Sequence, residues 1–476
     1  MKLKELLNCV DSQLAEIEIS GITSDTRKLK KGDLFVCIEG FNFDGHKFAV
    51  NAEEQGAAVI VAQRDTGAKN QVIVEDTRAF LAEASAKWFG YPAKNLKIIG
   101  VTGTNGKTSV TYMIKSVLEA KGHKVGLIGT IHNMIGNTEI PSSNTTPGAY
   151  ELNSLLSLMK EAGCEYVTME VSSHALDQKR VHGIEFETAV FTNLTQDHLD
   201  YHITMENYFS AKEKLFSMCK TAIVNFDDEY GRRLVDNVTC KTVTFSVKSD
   251  NSTYSAKNIS YRPDGVSYSF VGYNTIQNIN ISVGGKFSVY NSMAAVAVLL
   301  ELGFELKDIS AELSKMEGVK GRAEAVPTGK DFTVIIDYAH TPDGLVNILR
   351  TFSGFDGHRV VILFGCGGDR DKTKRPIMAA AAAQYADYCI VTSDNPRSEE
   401  PMSIIEDILV GFKGKNTPYK VIENRVEAIK YAIKKAQKND IIVLAGKGHE
   451  TYQILKDKTI HLDEREIVKE ALDELK

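Results

Sequence analysis

Residues 100–109 read GVTGTNGKTS. The run follows the apolar residues Leu96, Ile98 and Ile99 and precedes a segment with helical spacing, residues 110–120. A strand that turns through glycines into a helix gathers backbone N–H groups and the positive end of that helix around one anion. Lys107 brings a cation to terminal phosphates, and the Thr108 hydroxyl suits a Mg²⁺ ion. The stretch therefore reads as a nucleoside triphosphate loop within an α/β fold. It departs from the spacing G-x-x-x-x-G-K-[ST], which needs glycine at 101; Val101 stands there, and the nearest upstream glycine is Gly103.

Outward from the loop, apolar runs alternate with helix-like segments: KIIGVTG, KVGLIGT, EYVTMEV, ETAVFTNL and TAIVNFDD, each ending in polar residues or glycine. Parallel strands of α/β sheets end this way at their carboxyl edge. Before the loop, LFVCIEG (34–40), AAVIVAQ (57–63) and an alanine-rich helix over 81–89 form a separate α/β region, closed by Tyr91 and Pro92. Residues 241–287 alternate in the manner of antiparallel strands, a helix returns over 291–303, and α/β texture resumes after about residue 325. The 476 residues exceed what one core serves, so three domains are expected, with bounds 1–95, 96–325 and 326–476.

Composition removes several function classes. Hydrophobic residues make up 43% and charged residues 25%, with a formal charge of −6, which argues against a nucleic-acid or membrane-surface binder. No apolar run is long enough for a membrane span, and the first twenty residues lack a signal-peptide pattern. Seven scattered cysteines, Cys9, Cys37, Cys164, Cys219, Cys240, Cys366 and Cys389, read as reduced thiols, so a cytoplasmic location is expected.

Polar clusters sit where strands end. MEVSSHAL carries Glu170, FTNLTQDHLDYH carries Asn193, Asp197 and His198, and NYFSAKEKLF (207–216) reads as a helix with Lys212 and Lys214. A carboxylate on a strand beside a phosphate loop is placed for Mg²⁺ or for orienting a reactant. Further on come DYAHTPDGL, GCGGDRDKTKRP, TSDNPRSEEP and AGKGHETYQ, whose Arg370, Arg397 and Lys447 suggest a cationic pocket for an anionic substrate.

Together, GTNGKTS, NTTP, MEVSSHAL, TNLTQDHLDYH, NSMAA, GRAE, DYAHTPD, DNPR and GKGHE occur in the order found in Mur ligases, which the chain resembles over nearly its whole length. SDTRKLKKGDLFVCIEGFNFDGHKF (24–48) resembles the UDP-binding domain of the family's third amino-acid-adding member. The family's shortened GTNGKT loop accounts for Val101. The resemblance implies an N-terminal UDP-binding α/β domain, a central P-loop ATPase-like domain with a mainly parallel sheet and a C-terminal Rossmann-like α/β domain. It also implies an ADP-forming ligase that builds an amide through an acyl phosphate, for peptidoglycan precursors. The implied substrates are UDP-N-acetylmuramoyl-L-alanyl-D-glutamate and meso-diaminopimelate, acted on by a monomer.

Residue roles follow from the same resemblance. Gly103, Thr104, Asn105, Gly106, Lys107, Thr108 and Ser109 would hold ATP, with Asn291, Arg322, Asp337 and His340 as further nucleotide contacts. Thr108, Glu170, His198 and Lys212 would face two Mg²⁺ ions, Lys212 as a carbamate with Lys214 as its fallback. Lys107, Glu170, His198 and Lys212 form the implied catalytic set. Ser24, Asp44, Gly45 and His46 would serve the uridine end; Asn144, Thr145, Thr146, Ser172, Gln178 and Arg180 would hold the muramoyl peptide. Arg370, Asp394, Asn395, Pro396, Arg397, Gly446 and Glu450 would take the amino acid, Arg397 pairing with its distal carboxylate. Three other readings compete: the same reaction with L-lysine, a relative such as folylpolyglutamate synthase or cyanophycin synthetase, and a nucleotide-regulated binding protein without ligase activity.

Overall fold

The computed structural model describes residues 1–7, 13–40, 43–142, 144–262, 265–272 and 275–475, so Cys9 lies outside the described residues. The chain divides into two compact units, residues 1–245 and 246–476. Both are mixed α/β, as the sequence pattern implies.

Unit 1 begins with four short parallel strands in sequential order, β1 (Ile22–Thr23), β2 (Leu34–Val36), β3 (Val59–Ala62) and β4 (Gln71–Ile73). The helix Thr77–Trp88 follows, with Asp76 capping it by accepting from the Arg78 and Ala79 amides. The larger sheet of this unit is built around β5 (Lys97–Thr102), β6 (Val125–Ile128), β9 (Tyr166–Glu170), β10 (Phe186–Phe191), β11 (Cys219–Asn225) and β12 (Lys241–Ser246). These run parallel in the order 12-11-10-5-9-6. Ile98, Ile99 and Val101 are fully buried, as expected of a strand covered on both faces. An antiparallel hairpin, β7 (His132–Ile135) and β8 (Thr138–Pro141), extends the sheet beyond β6.

The helix after the loop, Lys107–Ala120, starts three residues earlier than its apolar pattern suggests. Gly106, at φ +90°, makes the left-handed turn that lets the helix begin at Lys107. Val110, Met113, Ile114, Val117 and Leu118 are its buried stripe, at the spacing of one helical face.

Unit 2 contains an antiparallel set, β13 (Tyr254–Arg262), β14 (Gly265–Gly272) and β15 (Thr275–Ile281), followed by the buried helix Lys286–Glu301. A separate six-stranded sheet carries β16 (Glu324–Val326), β17 (Thr333–Asp337), β18 (Arg359–Phe364), β19 (Tyr388–Val391), β20 (Tyr419–Val421) and β21 (Asp440–Ala445). Its order is 16-17-21-18-19-20, parallel except for β16. Among the described residues no helix is long and apolar enough to cross a membrane.

Candidate functional site

In unit 1 the phosphate loop leaves the carboxyl end of β5, between β9 and β10. The loop is braced by its own groups. Lys107 Nζ donates to the Gly103 and Thr104 carbonyls, both at 2.9 Å. Asn193, just past β10, clamps the loop from the side. Its Oδ1 accepts from the Asn105 amide at 3.0 Å, its backbone carbonyl from Thr104 at 2.8 Å, and its Nδ2 donates to the Asn105 carbonyl at 3.2 Å. Gly103 leaves no room for a side chain: a Cβ there would lie 1.9 Å from Thr192 Oγ1.

Glu170 ends β9 with 1% exposure, and three donors meet its carboxylate. Thr108 Oγ1 donates to Oε1 at 3.0 Å, the Thr130 amide to Oε1 at 2.9 Å, and Thr130 Oγ1 to Oε2 at 3.0 Å. A hydroxyl and a carboxylate side by side at a phosphate loop form an all-oxygen set that suits Mg²⁺, with phosphate oxygens completing its shell. Among the described residues no group of three or more His, Cys, Asp and Glu gathers that could hold a metal ion by itself. Thr130 was not among the residues picked out of the sequence. Its signal was the one used for Glu170, a polar residue just past an apolar strand.

Lys212 is 1% exposed on the helix Met205–Glu213. Its Nζ donates to the Gly103 carbonyl at 2.9 Å and lies 4.6 Å from the Tyr208 ring centroid. Burial, reinforced by the Lys107 ammonium, pushes its pKa well below the usual lysine range. Lys214 instead reaches half-exposed to Asp177 at 3.0 Å. His198 sits at φ +54°, in a left-handed conformation uncommon outside glycine, with its ring 4.9 Å from that of His174.

Of the expected peptide-holding residues, Thr145, Thr146, Ser172, Gln178 and Arg180 form one network against Glu170. Thr146 Oγ1 donates to the Glu170 carbonyl at 2.8 Å and accepts from the Ser172 amide at 3.0 Å. Arg180 reaches the Thr146 carbonyl at 2.8 Å and forks onto Gln178 Oε1. Thr145 Oγ1 is 3.1 Å from Thr130 Oγ1, and the Asn144 carbonyl accepts from Ser142. A cleft of about 830 Å³ within unit 1 is lined by Ser24, Arg78, Gln178, Tyr201 and Lys214, among others. Asp44, Gly45 and His46 do not line it. Asp44 Oδ1 takes the His46 amide and ring Nδ1, while His46 Nε2 accepts from the Gln63 amide, which puts the ring proton on Nδ1.

In unit 2 the four glycine- and proline-rich loops leave the carboxyl ends of β17, β21, β18 and β19, which are neighbours in that order. Asn395 Nδ2 donates to Glu450 at 3.0 Å, and Lys447 Nζ donates to Asn395 Oδ1 at 2.7 Å and to Glu450 at 2.9 Å. Lys447 is fully buried and neutralised by Glu450, so the cationic pocket expected from three residues rests on Arg370 and Arg397 alone. Arg397 has φ +51°, and its guanidinium donates to the Gly368 carbonyl at 2.9 Å. Arg370, more exposed, bonds the Asp369 carbonyl. The Gly446 Cα faces Asp394 so closely that a Cβ would lie 2.7 Å from its Oδ2. Gly368 and Pro396 pack likewise, a Cβ on the glycine falling 1.9 Å from the proline carbonyl.

Arg322 stacks over Tyr338 at 5.1 Å, Asp337 accepts from the Ala323 and Ala339 amides, and His340 Nδ1 contacts the Tyr338 carbonyl at 2.8 Å. These three gather around one tyrosine. Asn291 is buried on the helix Lys286–Glu301.

Sequence reading also passed over Arg375, which lies inside the motif GCGGDRDKTKRP. It is fully buried, forks onto Glu399 at 2.9 and 3.0 Å and reaches Asp407 at 2.9 Å. Arg375 holds the Glu399 carboxyl down to about 2, and Glu399 in turn accepts from the Asp369 amide, fixing the loop that bears Arg370. Arg375→Ala should destabilise unit 2 by about 2–3 kcal/mol, below the usual cost of a broken buried pair because the two carboxylates stay partly solvated. A melting midpoint lowered by roughly 5–10 °C in calorimetry is the expected result, and an unchanged midpoint would contradict it.

Comparison with known proteins gives three family matches: the Mur ligase family catalytic domain over residues 18–89, the Mur ligase middle domain over 101–299 and the Mur ligase glutamate ligase domain over 321–448. A protein of Caldanaerobacter subterraneus subsp. tengcongensis named UDP-N-acetylmuramoyl-L-alanyl-D-glutamate–2,6-diaminopimelate ligase is 48% identical, with 100% of this chain and 99% of that protein covered. A solved structure of a ligase of the same name superposes with a TM-score of 0.75 at 32% identity, covering 100% of this chain and 99% of that one. MurF ligase from Thermotoga maritima in complex with ADP shares the fold at a TM-score of 0.62 and 19% identity, over 96% of this chain and 97% of its own.

Proposed function

The chain belongs to the Mur ligase family, and from that premise we propose that it joins meso-2,6-diaminopimelate to UDP-N-acetylmuramoyl-L-alanyl-D-glutamate at the expense of ATP. It is an ADP-forming acid–amino-acid ligase of peptidoglycan precursor synthesis. The observation that carries the substrate assignment is the 48% identical relative of that name, matched from end to end. The lysine-adding alternative finds no support among the relatives compared, and a non-catalytic binding protein leaves the Glu170 network and the 394–397 loop without a task. We assign residues 1–95 to the UDP-substrate, 96–325 to ATP and 326–476 to the amino acid, in a cytoplasmic monomer.

A carboxylate is a poor acyl donor at neutral pH, so the D-glutamyl γ-carboxylate attacks the γ-phosphorus of ATP, and ADP departs. The incoming amine, having lost a proton, attacks the acyl carbon; the tetrahedral adduct collapses and releases phosphate. Both steps depend on positioning and on spreading negative charge more than on covalent help. Lys107 and the Gly103 and Gly106 amides would hold the β- and γ-phosphates, while the Thr104 and Asn105 amides, on Asn193, keep the loop in shape. Thr108, Glu170, His198 and Lys212 are the residues that would hold two Mg²⁺ ions, which neutralise phosphate charge when bound. Lys212 fits this set only as a carbamate: its buried amine is poised to be neutral, and CO₂ converts it to an anion with release of a proton. Asn291, Arg322, Asp337 and His340 complete the nucleotide contacts. Ser24, Asp44, Gly45 and His46 serve the uridine end, and residues 144–146, Ser172, Gln178 and Arg180 the muramoyl peptide. Arg397 takes the distal carboxylate that lysine lacks, and Glu450, whose Oε2 is held by Lys447 and Asn395, offers its Oε1 to the ammonium beside it.

Purified protein with ATP, Mg²⁺ and the UDP-linked dipeptide should release phosphate only when diaminopimelate is added. Release with L-lysine and not with diaminopimelate would overturn the substrate, and release independent of any amino acid would overturn the ligase.

A further inference from the structure

Beneath the loops assigned to the amino acid lies a charged side chain that none of the roles above uses. Arg425 opens the helix Arg425–Lys434 and is 1% exposed. Its Nη2 donates to the carbonyl of Ala445, the last residue of β21, at 2.8 Å. Its Nη1 lies 3.4 Å from the carbonyl of Ser393, two residues past β19, and 4.0 Å from Asp394 Oδ2. Its Nε and Nη2 meet Glu464 Oε1 at 2.9 and 2.8 Å. Glu464 is fully buried, and burial raises its pKa despite the neighbouring guanidinium.

One rigid cation therefore ties together the two strand ends from which the Asp394–Arg397 and Gly446–Glu450 loops depart. Its third direction points at the Asp394 carboxylate, whose Oδ1 is already taken by the Asn395 amide at 2.6 Å. The Asp394 Oδ2 is boxed between Arg425 and Gly446. A guanidinium spans three such acceptors because its donors are fixed in a plane; an ammonium on a flexible stem does not.

We propose that Arg425 is a positioning residue for amino-acid selection, setting the Asp394 carboxylate and the spacing of the two loops that read the zwitterionic end of the incoming diamino acid. The proposal rests on the reading of these loops as the amino-acid pocket. Glu464 neutralises Arg425 from behind and leaves its other donors to the loop ends.

The test is steady-state kinetics on the full chain, varying each substrate in turn. Arg425→Lys keeps the charge opposite Glu464 and loses the fork, so KM for diaminopimelate should rise about tenfold or more while KM for ATP stays within about twofold, since an ångström of misplacement is costly at a reacting site. Glu464→Gln preserves an acceptor at Oε1 and should leave KM for diaminopimelate within about twofold. A purely structural role predicts a lower melting point and a smaller active fraction with every KM unmoved, and that result in Arg425→Lys overturns the proposal. A rise in both KM values, or a tenfold rise in Glu464→Gln alone, overturns it as well. If Arg425→Lys does not fold, Arg425→Gln combined with Glu464→Gln removes both buried charges together and is read by the same criterion. A wild-type protein without diaminopimelate-dependent phosphate release overturns the functional reading and this proposal together; a working wild type with an unmoved variant overturns the proposal alone.

Discussion

Lys212→Ala is expected to lower kcat about a thousandfold or more, the scale seen when a preorganised electrostatic group is removed from a reacting centre. The side chain is buried against the phosphate loop, 2.9 Å from the Gly103 carbonyl. An ammonium there would stand beside the Lys107 ammonium, with the half-exposed Asp197 as the carboxylate that opposes this effect. Desolvation and that like charge favour the neutral amine, the form that adds CO₂. The carbamate proposed there would offset Lys107 and join Glu170 in facing cations. Small carboxylates such as formate or acetate, added to the alanine variant, should restore part of the rate by occupying the vacated space. Full activity of the variant in single-turnover assays would refute the assignment. Assaying the wild type in CO₂-depleted buffer gives an independent check, since activity should fall and return on adding bicarbonate.

Arg397→Ala is expected to raise KM for diaminopimelate roughly 30- to 150-fold, equivalent to about 2–3 kcal/mol for a charge-assisted hydrogen bond, with KM for ATP nearly unchanged. The arginine is held by its left-handed backbone, by its amide on the Ile454 carbonyl at 3.1 Å and by its guanidinium on Gly368. Those contacts fix the head group before any ligand arrives, so little side-chain entropy is lost when a carboxylate docks. Since Lys447 is already matched by Glu450, it cannot stand in for the lost cation. Equal KM values for diaminopimelate in the two proteins would move the carboxylate site elsewhere.

The parts of this molecule that were legible in the sequence are those written locally. β5, its glycine turn and the helix at Lys107 follow from adjacent residues, and the polar strand ends point to one edge of each sheet. The hairpin at 132–141 carried a local signal too, Gly136 and Asn137 between short apolar runs, with Gly136 at φ +57°. It was overlooked because strands of four residues barely show an alternation. β1 and β4 are shorter still, and only their neighbours make them strands. The site was less legible wherever a role depends on a distant partner. Spacing alone could not separate Lys212 from Lys214; in the fold Lys212 is buried against Gly103, while Lys214, just past the end of the helix, reaches Asp177 at the surface. Thr130 becomes significant only when β6 is laid beside β9, which brings it to a carboxylate forty residues away. Arg375 and Arg425 are themselves buried, and only their carboxylate partners, distant in the chain, account for it.

The hold of Lys107 on the Gly103 and Thr104 carbonyls gives nucleotide binding the character of an exchange. A phosphate entering the loop must displace two carbonyl oxygens from the ammonium, so its gain is the difference between the new contacts and those given up. A singly charged anion offers little over a pair of well-placed carbonyls, whereas a triphosphate offers several charges at once. The more charge a ligand brings to this loop at once, the more it gains over the two carbonyls it displaces.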